Sequence, residues 1–564
     1  IIHIADKEWN IRFIDYTQNG MGIKTRYIMN FNRIANDVWL VTNYEGKVDV
    51  NLFGIKVNAS FLSSVQYHNI ELTDDKSPID KTSEEQPPKP KKSLEIKPLA
   101  QKIEVDSLAT ERDSLYWEQI RSIPLDEEER HSYQYSDTLK EKQAALEDKI
   151  YNPEFSYLDL VIGGTLGSDS TALYFRYNGL LGGLLKEYNL VDGWWLGQSF
   201  ELDFKKRKHT GLIIKPEAYW AAARKALVWK VDATLDYSPL RFGKLSLSVG
   251  STTKDFAGEN GINRFLNSSY TLSRGRNHAR FYGADYVDIR NQIDIANGLH
   301  LSVGAQYEKV NLLENHTTWN LFGEKDKWKP NQPDYPDAPL SYDKRAGVWA
   351  ELEFTPEHYY RIHKGRKYYA ESRFPTFALR YRHGLSGELI EGNSHYNQLE
   401  LSITQSLTLD YFNRLNYKVT AGRFFGNDDF SYIDYKHFNS SKSWLSFKSM
   451  NDSYILLPYY RYATNSEWIE AFLNYDTDYL LLKRLPFLQG KMFTETLHAK
   501  FLYTPEKPYY SEWGYSVGLP MGFGSAGVFV AFDKLDYNSV GVQLAVPLIQ
   551  QMASEKGGSI TISF

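Results

Sequence analysis

The stretch VGVQLAVPLIQQMASEKGGSITISF, residues 540–564, decides the reading of the fold. Val540, Val542, Leu544, Val546 and Leu548 fall on one parity, with Gly541, Gln543, Ala545 and Pro547 between them. A polar turn follows from Gln550 to Gly558, and Ile560, Ile562 and Phe564 resume the alternation. A strand sends successive side chains to opposite faces, so the stretch predicts a hairpin with one apolar face and one small, polar face. In a soluble sandwich a second sheet covers the apolar face. In a transmembrane barrel lipid covers it. The closing aromatic on the apolar parity favours the barrel, because outer-membrane barrels commonly end on such a strand.

Composition agrees. The chain has 564 residues, too many for one ordinary compact domain unless it is a large barrel. Mean hydropathy is -0.48. No stretch approaches the ~18 uncharged apolar residues of a spanning helix, which leaves spanning strands open. Aromatic residues make up 15% of the chain, enough to supply the girdles at the two interfaces of a barrel. The absence of Cys excludes disulfide scaffolds, thiol catalysis and Cys-ligated metals. A net charge of -5 gives no reason to expect nucleic acid. No signal peptide is visible at Ile1, so a barrel reading expects a processed or trimmed chain.

Four regions follow in order. Residues 1–72 read as a periplasmic β-rich domain, incomplete at its N-terminus, with strands near 37–42, 46–53 and 55–65. Residues 73–104 read as a disordered Pro/Lys/Glu linker, a spacer or a strap, kept extended by Pro87, Pro88 and Pro90. Residues 105–150 read as a periplasmic helical segment, the one convincing helical region. Leu115, Trp117, Ile120 and Ile123 form its partial apolar stripe, which ends at Pro124. Residues 151–564 read as the transmembrane barrel.

Within that last region alternation recurs. Trp194 to Phe204, Leu245 to Val249, Leu299 to Tyr307, Phe377 to Tyr381, Leu399 to Ile403 and Trp513 to Leu519 each keep one apolar parity. Several runs approach the ~9–11 residues of a tilted spanning strand. Roughly sixteen antiparallel strands are expected, within the range of such barrels. Arg484–Gln489 and Gln550–Gly558 read as short periplasmic turns, and Asn311–Asp343 and Gly426–Asp452 as long outer loops. The C-terminus then lies in the periplasm.

Longer stretches are more specific. Asp113 to Leu139 resembles the segment before the barrel in a family of Bacteroidota outer-membrane proteins of unknown function, often labelled carboxypeptidase-regulatory-like-domain proteins. Trp117, Arg121, Pro124, Leu125, Glu129 and Tyr133 match its pattern. Tyr188 to Leu202, Phe374 to Gly384 and Leu480 to Pro505 resemble its barrel strands. The resemblance covers most of residues 105–564. It implies a domain-of-unknown-function barrel and no peptidase activity. A weaker similarity is to BamA-type barrels. Arg274 to Gly283 is the nearest basic stretch to their loop Arg motif and does not match it.

Candidate chemistry is sparse. Glu357, His358 and His363 lack the spacing of a His-Glu-x-x-His metal helix and read as interface or loop residues. Asn178 to Leu185 lacks the Lys-Ser/Thr of a phosphate loop and reads as a turn at a rim. Asp126 to Glu129 reads as a solvated helix start. Asn427, Asp428, Asp429 and Asp434 carry oxygen ligands for Ca2+ but fit no EF-hand. Arg380, Arg382, Glu400 and Lys418 fall on the inner parity. They line a pore if the barrel is empty, or bind a loop or strap if it is plugged, and the second reading is preferred. No catalytic, cofactor or metal site is expected. The expected role is a non-enzymatic subunit or accessory of a Gram-negative envelope complex for outer-membrane protein assembly or surface lipoprotein export. Its expected partners are the bilayer, lipopolysaccharide and other envelope proteins such as the barrel-assembly machinery. A channel for an unknown substrate is the alternative, and an outer-membrane enzyme with loop-borne residues the next.

Overall fold

A computed structural model describes residues 2–67 without 5–9, 21–22, 36–37, 53–54 and 66. It also describes 94–96, 116, and 155–546 without 169, 185, 206–209, 324–327, 337, 341–343, 364, 371, 388–391, 430, 487–492 and 519–523. The predicted helical segment at 105–150 falls outside these residues except Tyr116, which is helical, and so does the predicted final run at 559–564. By contact the chain forms two units, the first built on Ile1–Ser93 and the second on Ala144–Asp478 and Thr494–Phe564 together with Leu94–Ile96.

The first unit holds a five-stranded antiparallel meander. Its strands are β1 (Ile2–Ile4), β2 (Ile11–Gly20), β3 (Ile23–Ala35), β4 (Val38–Leu52) and β5 (Ile55–Ser64), paired in chain order. The two runs expected near 37–42 and 46–53 are one strand, β4.

The second unit is dominated by one large sheet. It opens with β6 (Gly164–Ser168), β7 (Leu173–Tyr177), β8 (Tyr188–Asn189), β9 (Gly193–Lys205), β10 (Gly211–Ala221), β11 (Ala226–Ser238) and β12 (Gly243–Asp255). It continues with β13 (Phe281–Ala296), β14 (Leu299–Leu312) and β15 (Lys344–Phe354). A separate hairpin intervenes, β16 (Tyr360–His363) and β17 (Arg366–Tyr369). Then come β18 (Thr376–Gly387), β19 (Gly392–Thr408), β20 (Asn413–Asp429), β21 (Leu445–Ser446) and β22 (Glu467–Thr477). The last are β23 (Glu495–Tyr503), β24 (Tyr510–Gly518), β25 (Ser525–Asp533) and β26 (Asp536–Ala545). Neighbours in sequence are neighbours in the sheet except at two short pieces: β7 and β20 pair past β8 and β21 with β9 and β22, and β21 pairs with the end of β26; the order is cyclic, with β26 next to β6. Nineteen strands stand in that order among the described residues. β8 and β21 are two-residue pieces, which leaves seventeen full strands where about sixteen were expected.

The two faces of this sheet differ as the alternation requires. On one face aliphatic and aromatic pairs stand opposite each other, such as Leu247 with Ile289 and Leu379 with Leu401. They remain uncovered by protein: Ile289 is 44% exposed, Leu401 49% and Val542 65%. On the other face polar and charged groups pair across strands. Ser248 donates to Asp232 at 2.5 Å, Arg176 bonds Glu201 at 2.5 Å, and Lys230 bonds Glu217 at 2.7 Å. A soluble sheet buries its apolar face and wets its polar one. Here the apolar face is the uncovered one.

Two connections depart from the expected layout. β22 ends at Thr477 and β23 begins at Glu495, a longer connection than the short turn expected at Arg484–Gln489, of which 487–489 lie outside the described residues. A helix, α3 (Arg264–Arg274), lies between β12 and β13, preceded in the chain by the short α1 (Asp159–Ile162) and α2 (Gly179–Leu184). The side chain of Asn263 accepts the amides of Phe265 and Leu266, and Gly275 ends α3 at φ 67°, where a Cβ is disfavoured. Residues 105–150 were the only convincing helix by pattern. α3 escapes that reading because its Ser and Thr residues blur the apolar stripe.

Within the predicted linker, Leu94–Ile96 pairs with the hairpin. Tyr360 N–H donates to Leu94 O at 3.0 Å and Ile96 N–H to Tyr360 O at 2.6 Å. The hairpin is itself anchored on β13. Tyr369 OH donates to Asp294 at 2.6 Å, and Lys367 bonds the same carboxylate at 3.1 Å.

Candidate functional site: an internal plug

The segment between β20 and β22, residues 431–466, is largely irregular and deeply buried. Tyr432, Tyr454, Ser453 and Thr464 have no exposure. Much of it falls in the stretch expected to form an outer loop, Gly426–Asp452. Instead β20 runs on to Asp429, and the chain then folds against the polar face of the sheet. We call it the plug.

Side chains from many strands grip it. Asp434 accepts from Arg345 at 3.0 Å on β15, and from Ser394 and Tyr396 at 3.1 Å on β19, with Arg382 of β18 at 3.8 Å. Lys436 reaches Glu400 on β19 at 2.5 Å and Glu470 on β22 at 3.5 Å, and sits over the Trp468 ring. On β24 the fully buried Glu512 accepts three consecutive plug amides, Ile455, Leu456 and Leu457, at 2.7, 2.8 and 3.1 Å. Lys500 on β23 donates to Ser453 O at 2.6 Å. Tyr460 OH donates to the Asp255 carboxylate at the end of β12, 2.9 Å away. A buried carboxylate that collects several backbone N–H groups satisfies donors the irregular plug cannot pair internally.

Apolar packing adds to these polar contacts. Phe438, Met450, Tyr454, Ile455, Leu456 and Leu457 form one cluster with wall residues Trp468, Phe472, Leu502, Tyr510 and Phe529. Two glycines make room for it. A Cβ on Gly422 would lie 2.1 Å from the Trp468 ring and one on Gly514 2.2 Å from the Phe529 ring, each across the neighbouring strand. α3 and described residues of the β14–β15 connection add a second layer. Arg264 pairs with Glu187 through two bonds of 2.7 Å, Tyr270 meets Ser443 at 2.7 Å, and Tyr335 packs on Tyr432. Cavities beside His437 and beside Ser441 measure about 10 Å3 each, room for about one water.

Electrostatics within the plug follow burial. Burial works against the charge of Lys436, but Glu470 and Glu400 outweigh it and hold its pKa above the ordinary value. Burial pushes His437 down to about 4 and Lys448 down to about 8. His437 is therefore neutral at physiological pH, with Nε2 3.1 Å from Tyr432 O.

The plug does not cover the polar face evenly. Along β9 to β11 that face carries Glu201, Lys215, Glu217, Lys230 and Asp232. The side chains of Lys215 and Lys230 remain 56% and 39% exposed.

The sequence-predicted residues fall as follows. Of the four inner charges, Glu400 binds the plug and Arg382 approaches it, while Arg380 faces Glu351 at 3.5 Å and Lys418 stands on the same wall. Asp434 is engaged by Arg345 and its neighbours. The side chains of Asn427, Asp428 and Asp429 lie outside the described residues. His358 stacks on Tyr369 and bonds Ala370 O, while His363 sits at the tip of the hairpin, so the structure does not bring them together. Asn178–Leu185 contains α2 rather than a simple turn. Arg274–Gly283 runs from the end of α3 into β13, and just before that strand Arg280 donates to Gln332 O at 2.9 Å. Among the described residues no group of three His, Cys, Asp or Glu could hold a metal. Inner charges meeting a loop or strap were the preferred expectation, but residues 431–466 were not singled out as that loop. Its signal was a loop too rich in buried types, from Tyr432, Ile433 and Tyr435 to the run Tyr454–Leu457.

A model of the C-terminal domain of a family of unknown function, DUF5686, matches residues 158–517. No curated protein matches the sequence. Among solved structures, CdiB from Acinetobacter baumannii is similar at 8% identity and a TM-score of 0.31, over 68% of this chain and 56% of that one. The chain thus spans little more than half of that protein's length, a likeness too remote to argue from.

Proposed function

The chain belongs to the DUF5686 family of unknown function, and from that premise we propose that it is a plugged barrel of the outer membrane. In this reading it is a non-enzymatic subunit or accessory of a Bacteroidota envelope complex that assembles outer-membrane proteins or exports surface lipoproteins. Its N-terminal part and C-terminus lie in the periplasm. Its partners are the bilayer, lipopolysaccharide and other envelope proteins. The supporting observation for the membrane is the inverted sheet, apolar outside and polar inside, which suits lipid. The observation that carries the role is the plug. A barrel filled over much of its polar face by its own residues 431–466 is poorly built for steady diffusion and well built for holding or handing on another protein.

The test is purification of the native tagged protein in mild detergent, followed by mass spectrometry. Stoichiometric barrel-assembly or surface-lipoprotein factors are expected. A protein that purifies alone sinks the accessory reading. A second reading, a gated channel, is favoured by the partly solvated charges along β9 to β11. It predicts single-channel conductance that rises when residues 434–463 are replaced by a short Gly/Ser link. The accessory reading expects the wild type to stay silent.

A further inference from the structure

At the end of β26 the backbone of the plug meets the sheet. β21 runs parallel to the end of β26, Leu445 beside Leu544 and Ser446 beside Ala545. Leu544 N–H donates to Trp444 O at 2.7 Å and Val546 N–H to Ser446 O at 2.8 Å. The fully buried Gln543 extends the contact, its Nε2 donating to Ser441 O at 2.6 Å and to Ser443 O at 2.9 Å. Residues 441–446 therefore run along one strand, which takes up four of their carbonyls. They lie at the edge away from β25, where the cyclic order brings the last strand beside the first.

The chemistry of this contact is generic. Carbonyls are recognised, and every extended polypeptide has them. The ladder is also short and parallel in a sheet that is otherwise almost wholly antiparallel, and parallel pairing is slightly weaker per residue. A strand edge left open is a template for another chain, so proteins cover such edges. Here the cover belongs to the plug, held by side chains on several other strands.

We propose that residues 441–446 are a stand-in strand, and that the β26 edge they cover receives an extended segment of another polypeptide when the plug withdraws. This rests on the accessory reading above and gives it a place and a chemistry of contact. Gln543 is a positioning residue in it, fixing the register by grasping two carbonyls ahead of the ladder.

The chain has no native cysteine, so Ser446→Cys with Ala545→Cys creates one disulfide that locks the stand-in strand in place. The full chain in detergent also carries Glu512→Gln, which loosens the plug at β24, away from the locked pair. The probe is a fluorescent synthetic peptide copying residues 440–447. With the lock reduced, the peptide binds. With the lock oxidised, affinity falls at least about tenfold, and reductant restores it. Gln543→Ala in the reduced protein weakens binding several-fold, and a scrambled peptide of the same composition binds about as well as the original. Equal binding to the locked and unlocked protein overturns the proposal. So does the absence of binding to the reduced, loosened protein. Neither outcome touches the co-purification result, so the stand-in strand and the accessory reading fail separately.

Discussion

At the scale of single residues, the plug depends on a few buried charges placed where irregular backbone needs partners. Glu512 is the clearest case. Its carboxylate gathers three plug amides and the Tyr510 hydroxyl, with Lys500 3.9 Å away. Glu512→Gln removes the charge from these bonds and leaves Lys500 without its counter-charge. Docking of the plug should weaken by roughly 2–4 kcal/mol. Trypsin cleavage after Lys448 or Arg461 reads this directly: faster cleavage is expected in the variant, with the wall strands still intact. Unchanged cleavage would mean that the apolar cluster alone holds the plug.

At the scale of the element, the plug is a titratable body. His437 is neutral when docked because burial holds it near 4. Once released it returns to an ordinary value near ~6.5. Between those values the released form binds the extra proton, so acidification favours release. The change is about 1.4 kcal/mol per pH unit. Lys436 stays charged throughout, since its shift is upward. A cysteine placed at Ser453, fully buried while the plug is docked, serves as a release reporter when labelled with a pyridyl disulfide, which reacts at acid pH. Labelling of the released form should rise from pH 7 to pH 4.5. The rise should flatten in His437→Gln, and a rise that persists unchanged assigns the effect to other groups.

At the scale of the whole molecule, the inverted sheet sets what substitutions are tolerated. Leu401 stands in the middle of β19 on the uncovered apolar face, and Ser402 is its neighbour on the polar face. A charge on a lipid face near mid-depth costs ~2–4 kcal/mol. Leu401→Lys should therefore impair folding into lipid vesicles, and Ser402→Lys should impair it far less, as judged by heat-resistant migration of the folded form. Equal effects would remove the argument that lipid covers the Leu401 face.

The sequence by itself determined the periodic part of this protein. Alternation of period two is local, so the strands around Trp194–Phe204, Leu299–Tyr307 and Leu399–Ile403 and their apolar parity were legible before any fold was known. It also showed that Arg382 and Glu400 share the inner parity. It did not show what they face. The grip of Arg345, Arg382 and Tyr396 on Asp434, of Glu400 and Glu470 on Lys436, and of Glu512 on Leu456 joins residues far apart in the chain. An irregular segment has no period to betray it, and its backbone donors find partners only once a surrounding wall exists. The wall was therefore written in local pattern, and the plug was decided by tertiary structure.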